Sequence, residues 1–140
     1  MSTEIEVRLT NWQQDQAALR HIREQVFIQE QSVPEDLEWD AEDEDATHFL
    51  MMIDQQAIGT ARLLTNGQIG RLAVLSPWRG RHLGANLMRA VISEAERRGV
   101  HPQRLAAQAR TVYFYQRLGF RVISPPFMDA GIPHVDMIRP

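Results

Sequence analysis

The chain has 140 residues, enough for one compact domain over residues 1–140 without disulfide or metal staples. It contains no cysteine, which excludes a disulfide framework, a thiolate zinc site and an acyl-cysteine intermediate. Its formal net charge of −3 argues against general nucleic-acid binding, which needs a basic excess. The N-terminus lacks a secretory pattern and no apolar run approaches membrane-spanning length, so we expect a cytoplasmic protein without a membrane contact.

The first half of the chain alternates strand and helix patterns. Apolar residues alternate over residues 5–9, which predicts a strand, and recur at helical spacing over residues 12–29, which predicts a helix. The acidic, proline-containing segment 34–45 reads as a loop with a helical turn after Pro34. Because charge runs are usually solvated, we expect its eight carboxylates on the surface.

The middle and end of the chain predict an antiparallel meander followed by a mixed region. Three strands are predicted over residues 47–53, 56–64 and 67–75, the last two joined by a type I′ turn at Asn66-Gly67. A helix follows from Leu83 and ends at Gly99. The later predicted elements are a strand at 104–107, a helix at 111–118, and strands at 120–123 and 134–138. This order indicates a mixed α/β fold.

The turn between the third meander strand and the long helix has the features of an anion site. Backbone N–H groups in the first turn of a helix have no intrahelical partner, and the helix dipole adds about half a positive charge there. Arg79 and Arg81 add charge, and Gly80 and Gly84 let an anion approach the backbone. The turn has neither the Gly-Lys-Ser/Thr of a Walker A loop nor the third glycine of a dinucleotide-binding fingerprint.

This segment resembles the coenzyme A loop of the GNAT superfamily of N-acetyltransferases. The family pattern is Gln or Arg, two residues, Gly, one residue, then Gly or Ala. Arg79 and Gly84 match its ends, Gly80 matches the common Arg-Gly form, and His82 replaces the middle glycine. Residues 113–120 resemble the family's later helix, in which a tyrosine precedes Leu-Gly-Phe. Residues 26–34 and 131–137 are similar to the ElaA-like and YjcF-like bacterial branch.

The resemblance implies a GNAT-like fold and a coenzyme site. The fold would be a splayed, mostly antiparallel sheet of six to seven strands with about four flanking helices. Acetyl-CoA would be the acyl donor. No metal is expected, because the histidines lack the spacing of metal ligands. The implied coenzyme-binding residues are Leu72, Ala73, Val74, Arg79, Gly80, Arg81, His82, Leu83, Gly84, Ala85 and Gln108.

The resemblance also implies direct attack of a primary amine on the thioester within one ternary complex. Such a reaction needs an acid for the thiolate and a base for the amine. Tyr115 is the candidate acid. His134 and Glu30 are the first candidates for the base, and the further candidates stay open: these are His48, Glu38 and Asp40. An alternative role for the acidic run is to attract a cationic acceptor, and the prediction leaves a homodimer open.

Two other functions compete with this hypothesis. A non-catalytic acyl-CoA-binding sensor would use the same loop, and His82 in place of the middle glycine favours it mildly. A weaker alternative is a nucleotide-phosphate binder unrelated to acyl transfer.

Overall fold

The structure is a computed structural model that describes residues 4–140 as one mixed sheet with helices on both faces. The strands are β1 Ile5–Thr10, β2 Thr47–Ile53, β3 Gln56–Leu63, β4 Gln68–Val74, β5 Gln103–Gln108, β6 Arg121–Val122, β7 Phe127–Asp129 and β8 Ile132–Arg139. The helices are α1 Trp12–Arg23, α2 Glu35–Glu38, α3 Leu83–Arg97 and α4 Val112–Gln116. Within residues 4–140 no helix combines the length and apolar character needed to cross a membrane.

The sheet is mostly antiparallel. Its strands follow the order β1-β2-β3-β4-β5-β8-β6, with β7 paired to β8 as well, and only the β4–β5 pair is parallel among the described residues. The predicted mixed, mostly antiparallel fold is therefore confirmed. Residues 4–140 form eight strands rather than six or seven, because residues 127–129, for which no element was predicted, form β7.

The sheet splits between β4 and β5. These strands pair only at Gln68 with Arg104 and at Ile69 with Leu105 within the described chain. Immediately beyond, Arg71 adopts a left-handed φ of 52°, where the β3–β4 register also shifts. Such a bulge bends its strand and increases the local twist. We call the gap between residues 72–74 of β4 and residues 106–108 of β5 the notch.

The two faces of the sheet hold separate apolar cores. Leu50 packs with Leu19 and Ile22 of α1, whereas the next residue, Met51, packs with Leu87 and Val91 of α3. Successive strand residues point to opposite faces, so α1 and α3 lie on opposite sides of the sheet. The helical stripe predicted after Leu83 is confirmed as the buried side of α3. The two cores fix both helices relative to the notch.

The β3–β4 hairpin has a different turn from the predicted one. Among the turn residues only Gly67 has a positive φ, at 90°, and its N–H donates to the carbonyl of Leu64 at 3.1 Å. The type I′ prediction is therefore wrong. The geometry matches a three-residue loop in which a left-handed glycine follows the turn.

The helix predicted over residues 12–29 is present but changes its winding. After α1 the chain continues as a π-helix, Glu24–Glu30, and the N–H of Gln31 donates to the carbonyl of Val26. Helical spacing of apolar residues does not distinguish this wider turn from an α-helix. The π-helix brings Glu30 and Gln31 to the notch.

The acidic segment is anchored by buried ion pairs. Arg23 donates to Glu38 and to Asp43, each at 2.7 Å, and all three side chains are buried. Arg62 pairs with Asp40 and Asp43. The expectation of a solvated acidic run is thus wrong for Glu38 and Asp43, because three-dimensional folding places arginines from three other elements against them.

Burial and these ion pairs act against each other on the pKa of Glu38 and of Asp43. Burial raises the pKa of Glu38, although Arg71 and Arg23 oppose that shift. Burial alone would also raise the pKa of Asp43, but hydrogen bonds from Arg23 and Arg62 outweigh burial and lower the pKa of that carboxyl. Asp43 therefore remains ionised inside the fold.

Candidate functional site

A cavity of about 910 Å³ opens at the notch. Residues of β4, of the turn before α3, of the first turn of α3 and of α4 line it. All the coenzyme-binding positions predicted above lie on its wall except Arg81, whose guanidinium is 5.2 Å from the ring centroid of Trp78. The structure therefore brings together residues from β4, α3 and β5 that are up to 36 positions apart, from Leu72 to Gln108.

The N-terminus of α3 points its first helical turn into the cavity. His82 precedes the helix with φ 61° and ψ 18°, and Gly80 has φ 79°. Both lie in the left-handed region, which glycine adopts at little cost and other residues adopt with strain. His82 therefore takes a backbone conformation that a glycine in its place would adopt without strain.

Arg79 is paired within the protein. Its Nη1 and Nη2 donate to the two carboxylate oxygens of Glu30, each at 2.8 Å, and its Nε donates to the carbonyl of Val74 at 2.9 Å. Both side chains are partly exposed. Glu30, a predicted base, and Arg79, a predicted pyrophosphate-binding residue, are thus bound to each other.

Tyr115 lines the cavity from α4. Its ring packs edge-on against Phe114 and Phe120, at centroid distances of 5.0 and 6.0 Å. Its hydroxyl makes no hydrogen bond to any described residue, and burial raises its pKa to about 12. The phenol consequently stays protonated at neutral pH, as a proton donor must.

His134 lines the same cavity from β8. Its Nδ1 is 2.7 Å from the carbonyl of Ile132, and its ring stacks on Phe127. Because a carbonyl only accepts, Nδ1 carries the proton in the neutral ring and Nε2 keeps a free lone pair. The β5–β8 register places His134 directly opposite Gln108. The geometry suits a proton acceptor at Nε2.

The other base candidates differ in their access to the cavity. His48 is fully buried outside the cavity wall, with Nε2 2.8 Å from the carbonyl of Asp43, and burial lowers its pKa. Asp40 is paired with Arg62 and Arg71. Glu38 reaches the cavity wall while bound to Arg23 and Arg71. Of the acid and base candidates, the wall of this cavity therefore includes Tyr115, His134 and Glu38, and it leaves out His48, Asp40 and Glu30.

Gln31 was not among the predicted site residues, yet it contacts β5 at the notch. The side-chain amide of Gln108 donates to Gln31 Oε1 at 2.7 Å, so the residue after Glu30 reaches the β5 arm. Gln31 lies in the segment 26–34 that resembles the ElaA-like branch, but the polar run before Pro34 is too common to indicate a site. Within residues 4–140 no three His, Asp or Glu side chains are grouped closely enough to hold a metal ion.

Comparison with known proteins identifies the family. The model of the acetyltransferase (GNAT) domain matches residues 9–139. The chain belongs to the GNAT acetyltransferase family. The N-acetyltransferase YjcF of Bacillus subtilis is 33% identical over 123 residues, covering 85% of this chain and 88% of that protein. Protein ElaA of Escherichia coli is 32% identical over 130 residues, covering 87% and 85%. The predicted ElaA-like and YjcF-like branch is confirmed.

Solved structures agree with this GNAT assignment. The crystal structure of an acyl-CoA N-acyltransferase from Pseudomonas aeruginosa has a TM-score of 0.89 and 31% identity, covering 98% of this chain and all of that chain. A GNAT acetyltransferase from Elizabethkingia anophelis with acetyl-CoA bound has a TM-score of 0.69 and 18% identity, covering 96% and 94%. At that identity the second likeness shows the fold alone.

Proposed function

We propose that this GNAT protein transfers an acetyl group from acetyl-CoA to a primary amine of a small molecule or peptide. The observation that carries the proposal is the notch between β4 and β5, which opens beside the N-terminus of α3 and has Tyr115 on its wall. Membership of the acyltransferase family supports acyl transfer. The name of the relative YjcF, an N-acetyltransferase, supports an acetyl donor.

The strand and the helix have separate roles in binding the donor. Backbone groups of residues 72–74 pair with the pantetheine amides, as an added strand would, because β5 does not pair with β4 there. The Val74 carbonyl is available once Arg79 Nε leaves it. The backbone N–H groups of residues 81–85 bind the pyrophosphate, where the helix dipole favours an anion. The Arg79 guanidinium adds a charge-assisted donor. Gln108 lines the β5 arm of the notch.

The reaction is a direct displacement. Acetyl-CoA supplies an activated thioester. The amine nitrogen forms a bond to the thioester carbonyl carbon, and the carbon–sulfur bond breaks. His134 Nε2 accepts the proton released from the amine, and the Tyr115 hydroxyl protonates the departing thiolate. Orientation of the two reactants in the notch lowers the barrier further, by about 7 to 11 kcal/mol in well-oriented models.

The alternative of a non-catalytic acyl-CoA-binding module drew mild support from the missing glycine at position 82. His82 adopts a φ of 61°, a conformation that a glycine at that position would adopt without strain. The loop geometry is therefore compatible with catalysis, and the two functions are separated by experiment.

The test measures binding and turnover separately. Calorimetric titration with acetyl-CoA and with ATP should show binding of acetyl-CoA alone. Thiol release from acetyl-CoA across a panel of primary amines should then reveal stimulation by at least one amine. Intact acetyl-CoA binding without stimulation by any amine supports the sensor. Failure to bind acetyl-CoA removes both functions.

A further inference from the structure

We propose that Glu30 and the coenzyme compete for Arg79, so that coenzyme binding unmasks a carboxylate in a second cavity beside the notch. The proposal rests on the proposed function, because it needs a pyrophosphate at the N-terminus of α3. It concerns the chain's own ion pair between the π-helix and the loop before α3.

The ion pair occupies the two groups that the coenzyme needs. Arg79 is the charged side chain assigned to the pyrophosphate, and both of its terminal nitrogens are on Glu30. Its Nε is on the carbonyl of Val74, a backbone group assigned to the pantetheine. The ion pair and this bond thus occupy one donor, the Arg79 guanidinium, and one acceptor, the Val74 carbonyl, of the same site. Three of the five N–H donors of Arg79 are occupied in this way, and in the proposed exchange Arg79 leaves one or both partners when the coenzyme binds.

The exchange costs little because the pair is partly exposed. The side chains of Arg79 and Glu30 are 44% and 38% exposed. Ion pairs in contact with water contribute little to stability, since water screens and replaces them. A pyrophosphate offers the same guanidinium two negative charges in a site where the helix dipole adds to the attraction. The equilibrium therefore shifts from Glu30 to the coenzyme.

Departure of Arg79 leaves the backbone that carries Glu30 anchored. A backbone hydrogen bond from Gln31 to Val26 ends the π-helix, and Gln108 holds the Gln31 side chain at 2.7 Å. Glu30 lines a cavity of about 330 Å³ together with residues 72–74, Arg79 and Arg110, and it is the one carboxylate on that wall among the described residues. A released carboxylate on that wall attracts a cationic group. Coenzyme binding would thus prepare a site for an amine acceptor.

A double-mutant cycle on coenzyme A affinity tests the competition. Glu30→Gln removes the competing charge and keeps the side-chain shape, so the Kd for coenzyme A should tighten about two- to fivefold, the range of an exposed ion pair. In the Arg79→Ala background the same substitution should have no effect, because Arg79 is no longer there to be released.

Glu24→Gln is the matched control, because it removes the same charge from the same π-helix at an exposed position. It should leave the Kd unchanged. If Glu24→Gln tightens binding equally, or if the Glu30→Gln effect persists without Arg79, general charge repulsion explains the result and the proposal is overturned. Weaker or unchanged binding by Glu30→Gln also overturns it. Failure of the wild-type protein to bind coenzyme A would instead refute the proposed function.

A structure with coenzyme A bound gives a readout independent of affinity. The expected result is separation of Arg79 from Glu30 beyond hydrogen-bonding distance, with the backbone of the π-helix unchanged. An intact bidentate pair in the presence of bound pyrophosphate would overturn the exchange.

Discussion

Arg23 holds Asp43 in a buried bidentate pair, with Nη1 donating to Oδ1 at 2.7 Å and Nη2 to Oδ2 at 3.3 Å. The two residues are 20 positions apart and join the end of α1 to the acidic segment. Arg23 also donates to Glu38, so a single guanidinium binds two buried carboxylates. The segment that reaches the cavity through Glu38 is held by this pair.

Replacement of Arg23 by methionine should destabilise the fold severely. Arg23→Met leaves Glu38 and Asp43 without their main buried partner, and breaking a buried ion pair in this way costs about 3 to 5 kcal/mol. Urea unfolding followed by circular dichroism measures the loss. Arg8→Met is the control, because Arg8 is 45% exposed and pairs only with Asp15, and such pairs contribute about 0 to 1 kcal/mol. Equal losses for both variants would contradict the role of burial.

Tyr115→Phe should lower kcat while leaving acetyl-CoA affinity unchanged. Loss of a positioned acid costs on the order of 10² to 10⁴ in rate. The pKa of Tyr115 is raised to about 12, so the phenol loses its proton only as the pH rises toward that value. Wild-type activity should therefore show no decline due to Tyr115 between neutral pH and about pH 10, the ordinary tyrosine pKa.

Tyr113→Phe is the matched control for that measurement. It removes the same hydroxyl from the same helix, but Tyr113 is 71% exposed and should not affect turnover. Assays of initial rate against pH on all three proteins provide the comparison. Full activity of Tyr115→Phe would exclude the phenol as the acid.

Gly84→Glu should abolish coenzyme binding without unfolding the protein. The added carboxylate lies in the first turn of α3, where it repels the pyrophosphate but interacts favourably with the helix dipole by about 0.3 to 1 kcal/mol. Calorimetry should show an affinity loss on the order of 100-fold, about 2.8 kcal/mol, with an unchanged or higher Tm. In Gly84→Ala the new Cβ lies 3.7 Å from Phe114, an ordinary contact, so binding should persist. Unchanged affinity of Gly84→Glu would show that the pyrophosphate lies elsewhere.

Substitutions at His82 test whether backbone conformation, rather than the imidazole, determines the loop. His82→Gly should bind coenzyme A as the wild type does, because glycine adopts φ 61° readily. His82→Val should lose about 1 to 2 kcal/mol of stability and bind more weakly, since a β-branched residue is strained in the left-handed region. Chemical unfolding and calorimetry measure both effects. Weak binding by His82→Gly with full stability would point to the imidazole instead.

Local patterns identified most of the secondary structure and part of the site. The alternation over β1, the helical stripe of α3 and the glycine that ends it are properties of neighbouring residues, and each predicted its element correctly, although Ile5 and Leu9 of β1 are exposed. The loop before α3 was recognisable because its residue types recur in a family. The turn type at Gly67 could not be recognised from the sequence, since Asn-Gly fits more than one hairpin geometry. The π-helix was also missed, because its apolar spacing resembles that of an α-helix.

The sequence by itself determined the fold class, the family and the loop that would receive an anion, because these depend on residue type and short-range spacing. Only the tertiary structure decided which charges are free. It buried Glu38 and Asp43 against Arg23, bound Glu30 to Arg79 across 49 residues, and removed His48 from the cavity. Partners so distant in sequence meet only when the helices pack on the sheet, and no local pattern encodes such a meeting.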